Sequence, residues 1–232
     1  MAKSTLDKIA PAKRDRILAE AARLFAERGF SHTDMAELAS RASIAKGSLY
    51  NYFENKEELY RFVCRHGLEL SRTAVYGGLD PSWDIHRQLE HIFRNGLRFA
   101  EEHPEFVALY LNVASAGMDH FAIQLSRDVE KHTADHLKTA LRDGQAAGIV
   151  RADLNVNLAA FHINSLYILF LASLVSRHFK IRMAEYFELP GEPTASSIEE
   201  HVTMTLQMIG DVLRPRPEAE QARPRKKQGR GT

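Results

Sequence analysis

Residues 16–62 place apolar side chains at the spacing of short helices, and this pattern constrains the fold more than any other part of the chain. The apolar residues from Ile17 to Phe25 recur three and four positions apart, which predicts an amphipathic helix with one buried face. Gly29 is expected to end that helix, because a residue without Cβ readily adopts the left-handed conformation. Thr33 is expected to cap a second helix over 34–41, and a third helix of barely two turns is predicted over 45–52.

The third helix is expected to separate its buried residues from its solvent-facing ones. Leu49 and Phe53, with Ile44 before them, would anchor it to the two preceding helices, an arrangement typical of a helix-turn-helix whose last helix enters a DNA major groove. Gly47 inside the helix costs about 1 kcal/mol relative to Ala, and close approach of a phosphate or base edge would explain it. The side chains turned toward solvent suit phosphate oxygens and base edges, and they are Lys46, Ser48, Tyr50, Asn51 and Tyr52.

A capping box is predicted directly after this helix. Asn55 and Glu58 have the spacing of the motif and would open a fourth helix, while Lys56 adds a positive charge where a further phosphate could bind. The alternative interpretation of the whole segment is an amphipathic bundle whose surface tyrosines and lysines have no role in binding.

The run from Gly29 to Tyr60 resembles the DNA-binding half of TetR-family transcriptional regulators. The matching positions are Gly29, Phe30, Thr33, Met35, Leu38, Ala39, Ile44, Lys46, Gly47, Leu49, Tyr50, Tyr52, Phe53, Lys56 and Glu57. The resemblance implies that Thr33, Lys46, Tyr50, Tyr52 and Lys56 contact the DNA backbone and groove. Two positions depart from the family pattern. Ser43 stands where Gly is common, and Ala45 replaces the usual small hydroxyl residue, so Ser43 could cap the third helix instead.

The remaining chain is expected to be helical, because no strand alternation persists anywhere. The predicted fold is all-α with roughly nine helices: a three-helix head joined to a larger helical body. We expect a basic arm over 1–15, a helix-turn-helix domain over 16–58, a ligand-binding and dimerisation domain over 59–213, and a disordered tail over 214–232. The arm could follow a phosphate backbone or enter a minor groove, or it could be a solvated terminus.

Composition points to a cytoplasmic protein. Hydrophobic residues make up 44% of the 232, which suffices for a core, and the net charge of +1 gives no global sign of nucleic-acid binding. The single cysteine, Cys64, excludes an internal disulfide and is consistent with a reducing compartment. The N-terminus lacks the apolar segment of a signal peptide. The apolar run Leu166–Val175 is shorter than the ~20 residues of a membrane span, so no membrane partner is expected.

The predicted helix over 158–177 is apolar on nearly every side, and one protein of this size can cover only part of such a surface. We therefore expect a homodimer formed through this helix and the one over 197–213. Two heads ~34–36 Å apart would meet successive major grooves of a palindrome. The alternative is a larger internal core within one chain.

A small-molecule site in the body is implied by the family resemblance. His132 and His136 fall on the apolar face of the helix over 121–147, which suggests either structural histidines with polar partners or an effector site for an anionic or metal-chelated ligand. No resident metal and no cofactor are expected. The candidate lining residues are histidines and aromatic residues of the body: His66, Phe93, Phe106, Tyr110, His132, His136, Phe161, His162 and Tyr167.

Catalysis is not expected. The glycines form no nucleotide-binding loop after a strand, and Cys64 has no matched histidine and acid to activate it. The sequence therefore predicts a regulator that a small-molecule effector releases from a palindromic operator in double-stranded DNA. The alternatives are a regulator that needs a corepressor and a helical interaction protein that does not bind DNA.

Overall fold

The computed structural model describes residues 9–112 and 119–215, apart from the side chains of 119–122. This part of the chain forms ten helices and no strand, which confirms the all-α expectation. The helices are α1 Pro11–His32, α2 Met35–Arg41, α3 Lys46–Tyr52, α4 Lys56–Tyr76, α5 Ile85–Glu102, α6 Pro104–Asn112, α7 Asp119–Ala146, α8 Val156–Val175, α9 Arg177–Tyr186 and α10 Ala195–Leu213.

Helix α1 begins earlier than the sequence predicts. The residues from Pro11 to Asp15 are helical and do not form an arm. Pro11 is tolerated in the first turn, because the backbone N–H that it lacks would have no partner within the helix there. Residues 1–8 of the predicted arm lie outside the described residues, as does most of the predicted tail. Gly29 has φ of 71° and breaks the helical path, as the sequence predicts.

The caps of α2 and α3 correct two predictions. Asp34, not Thr33, caps α2, because its carboxylate accepts hydrogen bonds from the backbone N–H groups of Ala36 and Glu37. Those bonds lower the pKa of Asp34. Ala45 precedes α3 without any side-chain cap, and Ser43 does not cap it. Ser43 instead takes φ of 55°, a left-handed conformation that favours the glycine common at this position.

Helix α4 begins with a modified capping box. The side chain of Asn55 accepts from the backbone N–H of Glu58, and the Glu58 carboxylate accepts from the N–H of Glu54 rather than from that of Asn55. Its residues Leu59, Tyr60 and Val63 join the same apolar cluster as α1, and its later residues reach the body. The head is therefore packed onto the body through a continuous core.

Helix α9 is an additional element that the nine-helix prediction missed. It follows α8 after a break at Ser176, and only Met183 of its side chains is buried, so it has no apolar stripe to predict it. Helix α8 has 20 residues and a mean hydropathy of 1.9, which is long and apolar enough to cross a membrane by length and composition alone. The expectation that its apolar segment is too short was therefore wrong. Helix α8 packs on α5, α6, α7, α9 and α10, but only 22% of its apolar window is buried within one chain.

Candidate nucleic-acid interface and ligand cavity

The exposed face of α3 presents the polar side chains that the sequence predicts there. Lys46, Gly47, Tyr50 and Asn51 are exposed, and Ser48 is half-buried. Leu49 is buried and fixes the opposite face of α3 in the core of the head. A Cβ added to Gly47 would meet no atom within 4 Å, so nothing inside the protein requires a glycine at this position. An external surface that approaches α3 closely would supply such a requirement.

Three of the predicted DNA-contact residues interact within the head, and one of them, Tyr52, is buried where the sequence predicts exposure. Tyr52 is only 8% exposed and belongs to the core of the head. Thr33 is buried, and its hydroxyl donates a hydrogen bond to the carbonyl of Gly29 at 2.8 Å. The Nζ of Lys56 donates to the carbonyls of Ser31 and Thr33 and lies 4.8 Å from the ring centre of Phe30. Thr33 and Lys56 thus hold the α1–α2 connection in place.

A cavity of about 390 Å³ lies in the body between α4, α5, α6, α7 and α8. This volume falls within the ~300–1,000 Å³ range of small-molecule sites. Its walls are mainly apolar, and they include Val75, Phe99, Phe106, Val107, Leu109, Leu125, Leu171 and the ring of Tyr167. The shape and lining indicate a site for a small molecule with a substantial apolar part.

A carboxylate fixed by two helices provides the most organised polar feature of the cavity wall. Glu130 of α7 accepts a hydrogen bond from the Tyr110 hydroxyl of α6 at 3.0 Å and another from the Asn164 amide of α8 at 3.0 Å. Burial and the neighbouring carboxylate raise the pKa of Tyr110, so its hydroxyl keeps its proton. Tyr76 of α4 lies beside this group, with its hydroxyl 3.5 Å from Thr133.

The two histidines of α7 pack against Tyr76 of α4. The ring centre of Tyr76 lies 5.5 Å from that of His132 and 5.4 Å from that of His136, both edge-on. His132 lines the cavity, whereas His136 does not. Burial lowers the pKa of His136, and its Nε2 atom has no partner among the described residues. Within the described part of the chain, no cluster of three potential metal ligands includes this pair.

Four of the nine predicted lining residues are at the cavity: Phe106, Tyr110, His132 and Tyr167. The other five are elsewhere. His66 stacks on Phe62 beside Phe106, and Phe93 stacks on Phe170 in the second core cluster. Phe161 is 67% exposed, with His162 next to it. His136 packs against Tyr76.

Sequence reasoning missed Tyr76, Glu130 and Asn164. Tyr76 could have been found from helical spacing, because residues three or four positions apart on α4 share one side of the helix. That side carries Cys64, Gly67 or Leu68, Ser71 or Arg72, and Tyr76, and it lies beside the buried α4 residues that face the head. Cys64 belongs to this side, and burial raises the pKa of its thiol to about 12, so it is no activated nucleophile.

Helix α6 connects the cavity to the head. Its residues Phe106, Leu109 and Tyr110 line the cavity, and the Asn112 amide donates to the carbonyl of Ala26 in α1 at 3.0 Å. Buried Glu105 lies 3.8 Å from the Arg23 guanidinium of α1. One helix thus contacts both the cavity and the head.

Helices α8 and α10 both expose large apolar side chains. Leu158, Phe161, Met204, Met208 and Val212 are each about half exposed or more. An exposed patch of this kind marks a protein interface. It involves the two helices through which the sequence predicts dimerisation.

These features define a helical DNA-binding regulator with a separate ligand cavity. Residues 17–63 match the family described as bacterial regulatory proteins, tetR family. Over 146 residues, the chain is 29% identical to the HTH-type transcriptional repressor KstR2 of Mycolicibacterium smegmatis, covering 63% of this chain and 71% of that protein. The chain belongs to the TetR family, whose members regulate transcription and act as dimers.

Solved structures share the fold. A TetR family transcriptional regulator from Chloroflexus aurantiacus has a TM-score of 0.70 and 19% identity, covering 93% of this chain and all of that one. A structure of AibR in complex with isovaleryl coenzyme A and operator DNA has a TM-score of 0.64 and 20% identity, covering 84% of this chain and 97% of that one. At this level of identity, the comparison establishes the architecture of head and body.

Proposed function

We propose that this TetR-family regulator represses transcription by binding a palindromic operator as a homodimer, and that a small molecule in the body cavity releases it. The observation that carries the proposal is α6, which lines the cavity with one face and bonds to α1 of the head with another. The related KstR2 protein is a repressor, and AibR was crystallised with both a ligand and operator DNA, which supports the same combination here. A cytoplasmic location, where DNA is accessible, belongs to this proposal.

DNA recognition is assigned to residues 16–58, and ligand binding and dimerisation to residues 59–213. Within α3, the exposed Lys46 is positioned for a phosphate, Tyr50 and Asn51 for base edges, and Gly47 and Ser48 for close approach of the backbone. Thr33 and Lys56 support this surface from behind, since their polar groups bind backbone carbonyls of the head.

Release follows from the packing of α4 and α6. A ligand that separates these helices displaces the head of each protomer, which changes the spacing of the two α3 helices relative to successive major grooves. A difference in ligand affinity between the two states worth ~1–3 kcal/mol would be enough for regulation. In corepression, the ligand would act through the same helices but favour the operator-bound state. A ligand that lowers operator affinity indicates release, and one that raises it indicates corepression.

The first test is selection from a random duplex library with purified protein at near-physiological salt. We expect enrichment of a palindrome whose half-sites are about one helical turn apart. Replacing Lys46→Ala should lower the affinity for every sequence and reduce the salt dependence by about one phosphate contact, whereas Lys131→Ala, an exposed lysine of α7, should change neither. Failure of a folded dimer to enrich any palindrome, with and without candidate ligands, would exclude the proposed function.

A further inference from the structure

The side chains that line the cavity carry an excess of negative charge. The described lining includes three carboxylates, Glu69, Asp128 and Glu130, but only one guanidinium, that of Arg72. Arg72 is already paired with Glu69, since its Nη2 atom lies 2.8 and 2.9 Å from the two carboxylate oxygens. Two carboxylates of the described lining therefore remain without a balancing charge.

Glu130 is held in a defined position by two neutral donors. Each of its oxygens accepts one hydrogen bond, from Tyr110 and from Asn164. No Lys or Arg within residues 9–112 and 119–215 forms an ion pair with it. A carboxylate oxygen has two lone pairs, so each oxygen can accept a further hydrogen bond. The two neutral donors orient this carboxylate at the wall and leave capacity for a donor from a ligand.

Three tyrosine rings line the same cavity, and two of them, Tyr110 and Tyr76, lie close to this carboxylate. Tyr76, Tyr110 and Tyr167 line the cavity, and burial raises the pKa of each, so all three rings remain neutral phenols. Faces of neutral aromatic rings attract ammonium groups within about 6 Å.

We propose that the effector is a lipophilic cation that carries an N–H donor, with its ammonium group bound to Glu130 and its apolar body among Phe99, Phe106 and Leu171. The proposal rests on the effector role assigned to this cavity above. A free carboxylate or an acyl-coenzyme A would instead bring negative charge toward Asp128 and Glu130. Among the described residues that line a smaller adjoining cavity, Arg65 is the only cation, and it shares that cavity with Glu69 and Asp128.

The test is a series of ligands with the same apolar chain and different head groups: decylammonium, decanol, decanoate and decanoyl-coenzyme A. Their dissociation constants are measured with full-length protein by calorimetry below micelle-forming concentrations. We expect decylammonium to bind at least about tenfold more tightly than decanoate, with decanol between them. In Glu130→Gln, the preference should fall to about threefold or less while decanol binding is retained, which shows that the cavity is intact. The control Glu101→Gln, at an exposed carboxylate of α5 away from both cavities, should keep the wild-type order.

Several results would overturn this assignment. Equal or tighter binding of decanoate or decanoyl-coenzyme A would exclude a cationic effector, as would the absence of binding by any of the four compounds. A preference for decylammonium that survives in Glu130→Gln would place the ammonium elsewhere. If the variant does not fold, the order of the four ligands on the wild-type protein still decides the matter. Operator selection on the same preparation separates the two proposals, because a recovered palindrome upholds the regulator function whatever the head-group order.

Discussion

At the scale of single residues, a substitution at Gly47 distinguishes an effect on folding from an effect on DNA binding. Since a Cβ at this position meets no atom within 4 Å, Gly47→Ala should fold normally and gain up to about 1 kcal/mol in helix stability. If α3 approaches DNA closely, the same methyl group should weaken operator binding by about tenfold or more. Thermal unfolding and a DNA-binding titration measure the two effects. Gly191→Ala, which also adds its methyl group into open space, is the control and should leave operator affinity unchanged.

Thr33 is predicted by motif to contact DNA, but in the structure it is buried and its hydroxyl donates a hydrogen bond within the head. Replacing Thr33→Val keeps the shape and removes the buried hydrogen bond to the Gly29 carbonyl, so the free energy of unfolding should fall by about 1–2 kcal/mol. Chemical denaturation measures this loss. Operator affinity of the folded variant, measured well below its unfolding temperature, should change little. If the free energy of unfolding is unchanged and operator affinity falls strongly, Thr33 contacts DNA directly.

At the scale of helices, Gly96 sets the distance between α5 and α8. A Cβ at Gly96 would lie 2.7 and 2.8 Å from ring carbons of Tyr167 and closer still to its hydroxyl oxygen. Gly96→Ala should therefore destabilise the protein by about 1–3 kcal/mol through overpacking. Tyr167→Phe removes the atom in closest contact, so the double variant should recover part of that loss. A double-mutant cycle by denaturation measures the coupling, and purely additive effects would contradict the predicted contact.

Local signals explain why the helices of the head were predictable from the sequence. Gly29, Asn55 and the apolar spacing of Ile17, Leu24 and Leu49 act within one helix or turn, and the structure follows them. The prediction of the cap of α2 was wrong because two neighbouring residues can serve as caps. Asp34 carries a better acceptor than Thr33 and occupies the adjacent position.

The cavity was less predictable, because its lining depends on which helix faces meet across the body. Phe93 and Phe106 both lie on apolar stripes, yet Phe106 faces the cavity while Phe93 packs between α5 and α8 on Phe170. Glu130 has no apolar periodicity to mark it, and its position became evident only through Tyr110 and Asn164 on two other helices. Helix α9 was missed because most of its side chains face away from any core.

At the scale of the whole molecule, three half-buried histidines make stability depend on pH. Burial lowers the pKa of His66, His136 and His201 below the ordinary value of 6.5. Above that value all three are neutral in both states, so they add no pH dependence. Below it, the unfolded chain binds protons that the folded protein binds less readily, and the free energy of unfolding should decrease as the pH falls.

The decrease should stay under the limit of about 1.4 kcal/mol per pH unit for each histidine, because the rings are only partly buried. Denaturant titrations between about pH 7.5 and 5.5 measure it. Replacing His136→Gln should make the curve shallower, whereas His178→Gln, at an exposed position of α9, should leave its slope unchanged. A wild-type stability that is constant across this range would contradict the burial of these rings.

Helix α4 is shared by the head and the cavity, and its length has a mechanical consequence. Its 21 residues span ~31 Å, with Leu59 and Val63 packed into the head at one end and Val75 and Tyr76 at the cavity wall at the other. The Lys56 ammonium group donates to the carbonyls of Ser31 and Thr33, which holds the start of α4 to the connection before α2. A tilt of only about 5° is then magnified to a displacement of ~2–3 Å at the far end of such a rod. A bound molecule that tilts α4 by this amount about its cavity end would move the start of α4, and the head attached to it, by that distance and carry the recognition helices out of step with the DNA.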